Sequence, residues 1–311
     1  MVRRPVLVVT SLEDVTACMV IAALHERDVP VVRVDPADIG AGVRFAARLG
    51  DPVRGGLATE TRELDLATPR AVYHRRPGRW RFGHLPEQAR AFATAEARHG
   101  LGGVLASVPG LHVNDVFATS RAEYKPLQLK VAAELGFRVP PTLVTNDPAA
   151  VRVFEEEHGP LVYKTFRGVP PGDGHAGVVW TQRVRASDVD ERLGVTAHLF
   201  QAEVPKIADA RVTVVGDEVF AWRIDAPGEA LDWRAGDWDA LRYRPFVLSD
   251  GLAGMLREYL DRFGLVFGCF DLAITEDGDC VWIECNPNGQ WGFLPEAGRI
   301  ADAFAELLRE G

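Results

Sequence analysis

Three oxygen-bearing side chains interrupt an apolar stretch near the end of the chain. Within residues 265–294, two apolar runs flank the turn Glu276-Asp277-Gly278-Asp279, a β-hairpin pattern. Asp271 lies in the first run, and Glu284 and Asn286 lie in the second. Residues two apart on a strand share a face, so Glu284 and Asn286 point the same way, and Asp271 can lie across from them. A buried carboxylate requires a cation or a basic partner. Two carboxylates and an amide oxygen are hard ligands of the kind Mg²⁺ accepts while keeping positions for water and phosphate oxygens. The competing local reading is an ordinary hairpin with solvent-facing acids, because most carboxylates are exposed.

The basic residues add to this. Of 35 Lys and Arg, only Lys125, Lys130, Lys164 and Lys206 are lysines. Lysine is a compact charge on a flexible stem, suited to phosphate in a tight pocket. Lys130 reads as a helix-face residue, whereas the other three fall where a nucleotide site needs them. Lys164 breaks the apolar run at 161–166, and the glycine-rich segment 167–177 follows it. That segment reads as a lid over phosphates or as a hairpin tip. Two lysines with one or two Mg²⁺ can neutralise a triphosphate and leave its γ-phosphoryl open to a carboxylate nucleophile. Asp209-Ala210-Arg211 puts an acid and a base on one side of a strand entry, where Arg211 serves the site or pairs with Asp209. Asp232-Trp233-Arg234 reads as a polar, mobile loop. The basic turn at 73–78, with Arg75 and Arg76, reads as a solvated surface or an anion-contacting edge. No Ser-His-Asp or Cys-His set has the context of covalent hydrolysis.

The elements that must position these groups alternate in type. The pattern predicts strands at 5–10 and 31–34 around a helix at 11–27 that is capped from Ser11-x-x-Asp14. Short strands and turns fill 41–75, and a helix spans 86–106. A boundary falls near Asn114-Asp115. One long helix is predicted over 119–136, carrying Lys125 and stopped by Gly136. Strands follow at 142–145, 161–166 and 178–184, with a helix at 148–158 and a short acidic helix at 186–193. Strands at 198–204, 211–215 and 219–225 lead to a helix at 249–263, the acidic hairpin, and a closing helix at 295–309. No dinucleotide fingerprint follows the first strand.

Totals narrow the function classes. The 311 residues suffice for two or three packed units. The formal charge of −9 argues against a nucleic-acid surface. No apolar run reaches membrane-span length, and the start leads directly into a strand instead of a signal peptide. Cys18, Cys269, Cys280 and Cys285 form no C-x-x-C pair, so they read as free thiols in a reducing cytoplasm.

In order, these features resemble the ATP-grasp ligase superfamily over nearly the whole chain. The closest likeness is to its graspetide (microviridin-type) macrocyclase branch. E-C-N-P-N-G-Q-W at 284–291 is the most specific piece: E-x-N-P is similar to the whole superfamily, N-G-Q-W to the macrocyclases. R-A-E-Y-K-P-L-Q-L at 121–129, V-Y-K-T-F at 162–166, L-F-Q-A-E-V-P-K at 199–206, D-A-R-V-T-V-V-G-D at 209–217 and D-W-R at 232–234 support it. The resemblance implies an α/β, ATP-grasp fold: a pre-ATP-grasp unit at 1–114, a central unit at 115–196 and a C-terminal unit at 197–311, with ATP between the last two. It implies that Lys125 and Lys164 hold the α- and β-phosphates. Gln201, Glu203 and Val204 would form the adenine hinge, largely through backbone groups of Glu203 and Val204, with Lys206 beside them. Asp271, Glu284 and Asn286 would bind Mg²⁺, and Arg211 and Arg234 would sit near the transferred phosphoryl and a peptide substrate. Many relatives carry Glu after the hinge Gln, where this chain has Ala202.

The implied reaction joins an Asp or Glu side chain of a ribosomal precursor peptide (leader plus core) to a Thr, Ser or Lys of the same peptide. It proceeds through an acyl phosphate. The acidic surface at 188–191 with the 167–184 hairpin is the expected leader-docking surface, and relatives imply a homodimer. Three readings compete: an ATP-grasp ligase adding an amino acid to a peptide end, a peptide-binding module with a vestigial nucleotide site, and a phosphotransferase.

Overall fold

The computed structural model describes residues 4–167, 179–228 and 230–311. The chain opens as β1 (Val6–Val9), α1 (Val15–Glu26) and β2 (Val31–Val34), followed by the small antiparallel hairpins β3 (Arg44–Arg48), β4 (Arg54–Ala58) and β5 (Glu63–Asp65). β6 (Ala71–His74), α2 (Glu87–Ala106) and β7 (Leu111–Val113) complete a four-stranded parallel sheet of order β2-β1-β6-β7. Asp14, not Ser11, caps α1, its carboxylate accepting from the Ala17 N–H, so the helix starts later than the S-x-x-D pattern predicts. The Ser11 N–H is instead engaged by the Arg76 carbonyl.

The helix predicted over 119–136 is two helices, α3 (Val116–Ala122) and α4 (Lys125–Glu134). Pro126 explains the break. Proline has no N–H to donate within a helix and its ring clashes with the preceding turn, so it sits in a first turn and starts a new helix. Lys125 therefore stands at the first position of α4, not mid-helix. Gly136 does end α4: at φ +89° it closes a Schellman turn, with Gly136 N–H on Ala133 and Phe137 N–H on Ala132.

β8 (Thr142–Thr145), α5 (Pro148–His158), β9 (Leu161–Lys164), β10 (Gln182–Val184) and β11 (His198–Ala202) build a second antiparallel sheet of order β10-β9-β11-β8. Lys164 is thus the last residue of its strand, and Phe166 lies beyond it. The acidic helix predicted at 186–193 is two 3₁₀ turns, Ala186–Asp188 and Glu191–Val195. Asp190 there bonds its own downstream Arg192, the kind of local bond that competes with a continuous α-helix. The glycine-rich lid or hairpin tip falls largely at 168–178, outside the described residues.

The third sheet positions the site. β12 (Lys206–Val215), β13 (Glu218–Asp225), β14 (Arg242–Pro245), β15 (Phe267–Thr275) and β16 (Cys280–Asn286) pair antiparallel in the order β14-β13-β12-β15-β16. α6 (Asp250–Phe263), capped by Ser249, covers one face together with α4, and α7 (Ala297–Glu310) covers the other beside α1. Period-2 alternation sorts the strands: Ala210, Val212, Phe270 and Leu272 enter the α4/α6 core, and Val215, Phe267 and Cys269 enter the α7 core. Arg211 and Asp271 share the α7 side, further along the same strands. One face is therefore apolar under α7 and ionic beyond it. Trp291, buried, stacks on Phe304 of α7 and belongs to that apolar half.

Asn114 ties the first sheet to the third. Its amide donates to the Phe267 and Pro287 carbonyls, both at 2.8 Å, and its oxygen accepts from the N–H groups of Val266 and Phe267. Packing places α3 and α4 with the large sheet, and β11 lies inside the second sheet. We therefore propose a central unit running from about residue 141 to Ala202, in place of 115–196, and retain the first divide near 114 as a proposal.

Candidate active site

A cavity of about 460 Å³ opens between the second and third sheets, within the size range of small-molecule sites. Val162, Lys164 and Gln201 line it from the second sheet, and Asp271, Glu284 and Asn286 line it from the third. The start of α4 contributes Lys125, and the loop after β13 contributes Asp232 and Arg234.

Register brings the acids together. Arg211 is the cross-strand partner of Asp271, and Asp271 is the partner of Glu284. The ladder then skips from Glu284 to Trp282, so Ile283 is the extra residue of a β-bulge beside the acidic cluster. Such a bulge re-aims the neighbouring side chain. Glu284 and Asn286 follow two apart on the same face, as their spacing predicts.

The charges are arranged as a chain. Arg211 Nη1 donates to Asp271 Oδ1 at 2.8 Å, and Arg234 Nη1 lies 3.5 Å from Oδ2 and 3.2 Å from Glu284 Oε1. Lys125 Nζ reaches Glu284 Oε2 at 3.1 Å. Asp232 caps a 3₁₀ turn and holds Arg234 through both carboxylate oxygens, at 2.8 and 3.0 Å. Trp233 is buried between them in sequence, so the D-W-R segment is an anchored turn where a mobile loop was expected. Arg211 is buried and backs Asp271 from behind instead of lining the cavity, while Arg234 has a third of its side chain exposed there. Asp209 does not pair with Arg211 as the alternative held. Lys206 takes it at 2.6 Å and also bonds the Leu231 carbonyl.

Across the cavity, Gln201 is buried in the sheet interior and bonds Thr142 Oγ1 at 2.8 Å, which excludes an exposed strand edge. Glu203 pairs with Arg183, and its N–H donates to the Pro160 carbonyl at 2.8 Å. Among the described residues, the Glu203 carbonyl and the Val204 N–H have no backbone partner. Lys130 lies outside the site and pairs with Glu134 on the helix surface.

Sequence reasoning missed Gln128 and Asp232 as site residues. Gln128 is buried beneath the cavity, with its amide on the Cys285 backbone at both N–H and carbonyl, which fixes the strand bearing Glu284. It sits three residues after Lys125 in the quoted K-P-L-Q run, and the available signal was its helical spacing to the buried Val131 and Ala132.

Comparison with solved structures follows this geometry. The macrocyclase MdnC of Microcystis aeruginosa MRC, bound with its precursor peptide MdnA, matches with a TM-score of 0.88 at 28% identity, over 98% of this chain and 99% of its own. A RiPP-associated ATP-grasp ligase of Chryseobacterium gregarium, in complex with ADP and a leader and core peptide, matches with a TM-score of 0.88 at 26% identity, over 98% and 96%. The chain has the fold of the ATP-grasp ligases. The macrocyclase MdnB of Microcystis aeruginosa MRC matches it with a TM-score of 0.82 at 28% identity, over 99% and 100% of the two chains. No family model and no curated protein sequence matches the chain.

Electrostatics in this site bear on which groups are charged. Burial is the main influence on Lys164 and lowers it to about 8. Glu284 opposes the shift and Lys125 adds to it. Among the described residues Lys164 has no ion-pair partner, so its ammonium faces the cavity without a carboxylate of its own. Burial alone would raise Glu284, yet Lys125, Arg234 and Lys164 outweigh it and hold the carboxyl well below the usual range. Asp271 Oδ2 is buried without a hydrogen-bond partner among the described residues. An ionised Glu284, an Asp271 oxygen that makes no hydrogen bond and has only the longer Arg234 ion pair at 3.5 Å, and the adjacent Asn286 make a donor set that fits a hard divalent cation. All four cysteines are free, Cys269 and Cys285 being buried. Among the described residues no helix is long and apolar enough to cross a membrane.

Proposed function

We propose that the protein uses ATP to activate Asp or Glu side chains of a ribosomal precursor peptide and joins them to hydroxyl or amino groups of the same peptide. The observation that carries this reading is the Lys125–Glu284–Arg234–Asp271 constellation on one side of a cavity faced by Lys164. It stands in a chain alike over its whole length to a macrocyclase bound with its precursor peptide. Lys125 and Lys164 are assigned to the phosphates, and Gln201, Glu203 and Val204, flanked by Lys206, to the adenine. Base contact at Glu203 falls to its carbonyl, because Pro160 already holds its N–H. Asp271, Glu284 and Asn286 would hold Mg²⁺, which when bound supplies positive charge to the nucleotide phosphates.

A peptide carboxylate oxygen attacks the γ-phosphorus as the bond to the β-bridging oxygen breaks and ADP leaves. The substrate hydroxyl or amine then attacks the acyl carbon, loses its proton and expels phosphate. This chain's part is electrostatic and positional. Lys164 and Arg234 meet the charge that builds on the phosphoryl oxygens, and Arg234 is the arginine exposed to the cavity. Arg211 keeps Asp271 oriented. The acidic turn with Asp188, Asp190 and Glu191, beside edge strand β10, is assigned to a basic stretch of the leader. A homodimer and a cytoplasmic setting, the latter resting on the four free thiols, complete the reading.

The test is the intact mass of a candidate precursor after incubation with the protein, ATP and Mg²⁺. One water is lost per ring formed, and Glu284→Ala abolishes the loss. A gain of one residue mass would identify an amino-acid ligase, a gain of phosphate a phosphotransferase, and no change across candidate peptides a binding module. Unchanged leader affinity on charge reversal at Asp188 and Asp190 would remove the docking assignment alone.

A further inference from the structure

The basic turn after β6 reads in sequence as a solvated surface or an anion-contacting edge; Arg76 is exposed there, but Arg75 is not. Arg75 is only 3% exposed and reaches across the molecule into the loop that follows the Glu284–Asn286 strand. Its Nη1 donates to Asn288 Oδ1 at 2.7 Å and to the Gly289 carbonyl at 3.2 Å. Its Nη2 donates to Thr16 Oγ1 at 2.7 Å and to Gln290 Oε1 at 3.2 Å, and Asp14 lies 3.5 Å from Nε. Asn288 returns a bond from its amide to the Arg75 carbonyl at 2.7 Å. Gln290 is thus held by Arg75 through its side chain, and by Arg211 through its carbonyl at 2.8 Å. Arg211 in turn holds Asp271 at 2.8 Å.

We propose that Arg75 is a positioning residue of the active site: through Gln290 and Arg211 it sets Asp271, and through Asn288 it sets the end of the strand carrying Glu284 and Asn286. The N-terminal sheet is then part of the catalytic apparatus and not a separate cover. Two features argue against a simple inter-sheet anchor. The loop is clamped at three successive residues by one planar, forked guanidinium, which fixes orientation as well as proximity. The same loop also has no slack beside Arg211. A Cβ on Gly289 would come within 2.4 Å of the Cys269 Cβ and 2.9 Å of Arg211 Nη2, so movement of the loop moves Arg211. Groups that hold ligand side chains typically change metal affinity about 10–100-fold when altered.

The inference rests on the assignment of Asp271, Glu284 and Asn286 to the cation, and the experiment separates the two. Mn²⁺ is titrated into the full-length protein with saturating ADP and followed by electron paramagnetic resonance, for wild type, Arg75→Lys and Gln290→Ala. Arg75→Lys keeps the charge beside Asp14 but loses the fork, and Gln290→Ala cuts the side-chain link to Arg75, with a Thr16 contact at 3.3 Å, while keeping the carbonyl that Arg211 binds. Metal-free ADP affinity and melting temperature are measured alongside. The expected result is Mn²⁺ affinity weakened about tenfold in both variants, with ADP affinity within about twofold of wild type and a single folding transition retained. The double variant should lose no more than the weaker-binding single, because both act on one chain of contacts. Mn²⁺ affinity unchanged in both folded variants would overturn the proposal while leaving the cation site intact. A wild-type protein that binds no Mn²⁺ with ADP would overturn the cation assignment and this inference with it.

Discussion

Arg211 occupies one oxygen of Asp271 and leaves the other to Arg234 at 3.5 Å, so the pair is buried but only partly self-sufficient. Removing one member of such a pair strands a charge in a poorly solvated place. Arg211→Ala should cost about 3 kcal/mol, the low end for a broken buried pair because Arg234 remains. Replacing both residues with apolar ones of similar size should recover most of that stability while leaving no activity. Chemical denaturation of the single and double variants checks the stabilities, and the intact-mass assay checks the loss of activity. Lys164 sets a pH limit: it is protonated below about 8 and neutral above, and phosphate attraction needs the charged form. ADP affinity in the absence of metal should therefore fall as pH rises through that value. Lys164→Arg, charged throughout, should flatten the profile, and calorimetric titration across the range would read it. At this scale the sequence was informative wherever chemistry repeats with a local period. Asp271, Glu284 and Asn286 were legible from strand alternation and one turn. Arg75 was not, because its partners in the loop beside the site lie more than two hundred positions away, and a buried guanidinium looks like a surface one until they are known.

Among the elements, the start of α4 and the bulge at Ile283 do most to aim side chains. The proline that splits 119–136 into two helices was visible in the sequence. It was passed over because apolar spacing runs through it, and a first-turn proline leaves that spacing intact. The bulge had no local signal at all, since inserting one residue alters pairing without altering composition. Gly136 offers a clean backbone test. A Cβ there meets only Met255 Cε, at 4.0 Å, so the strain of φ +89° acts alone. Gly136→Ala should cost about 1 kcal/mol in denaturant unfolding and leave ADP affinity unchanged, because the altered end of α4 is the one remote from Lys125.

For the whole molecule, the distribution of cores predicts uneven stability. The first and third sheets share one apolar cluster through α1 and α7, whereas the second sheet packs with α5 in a smaller cluster of its own. Native-state hydrogen exchange should open β8, β9 and β11 at lower free energy than β12 and β15, and bound ADP should slow exchange in the second sheet most. Equal protection of the two sheets without nucleotide would contradict this. The α/β architecture and most of the element order were readable from periodicity, but the short strands β7 and β14 were not. The assignment of β11 to the second sheet and of α4 to the third was not, since periodicity identifies strands without naming their neighbours. Asn114 carries a practical consequence for recombining such enzymes. It sits where the chain invites a cut, yet all four of its bonds described above run to backbone 150 or more positions downstream. A chimera that exchanges the first 114 residues for those of a relative imports a foreign partner for strand β15 and the N-P-N turn. Crossing over just before Asn114, with the 288–290 loop grafted from the parent that supplies Arg75, is the exchange most compatible with a folded hybrid.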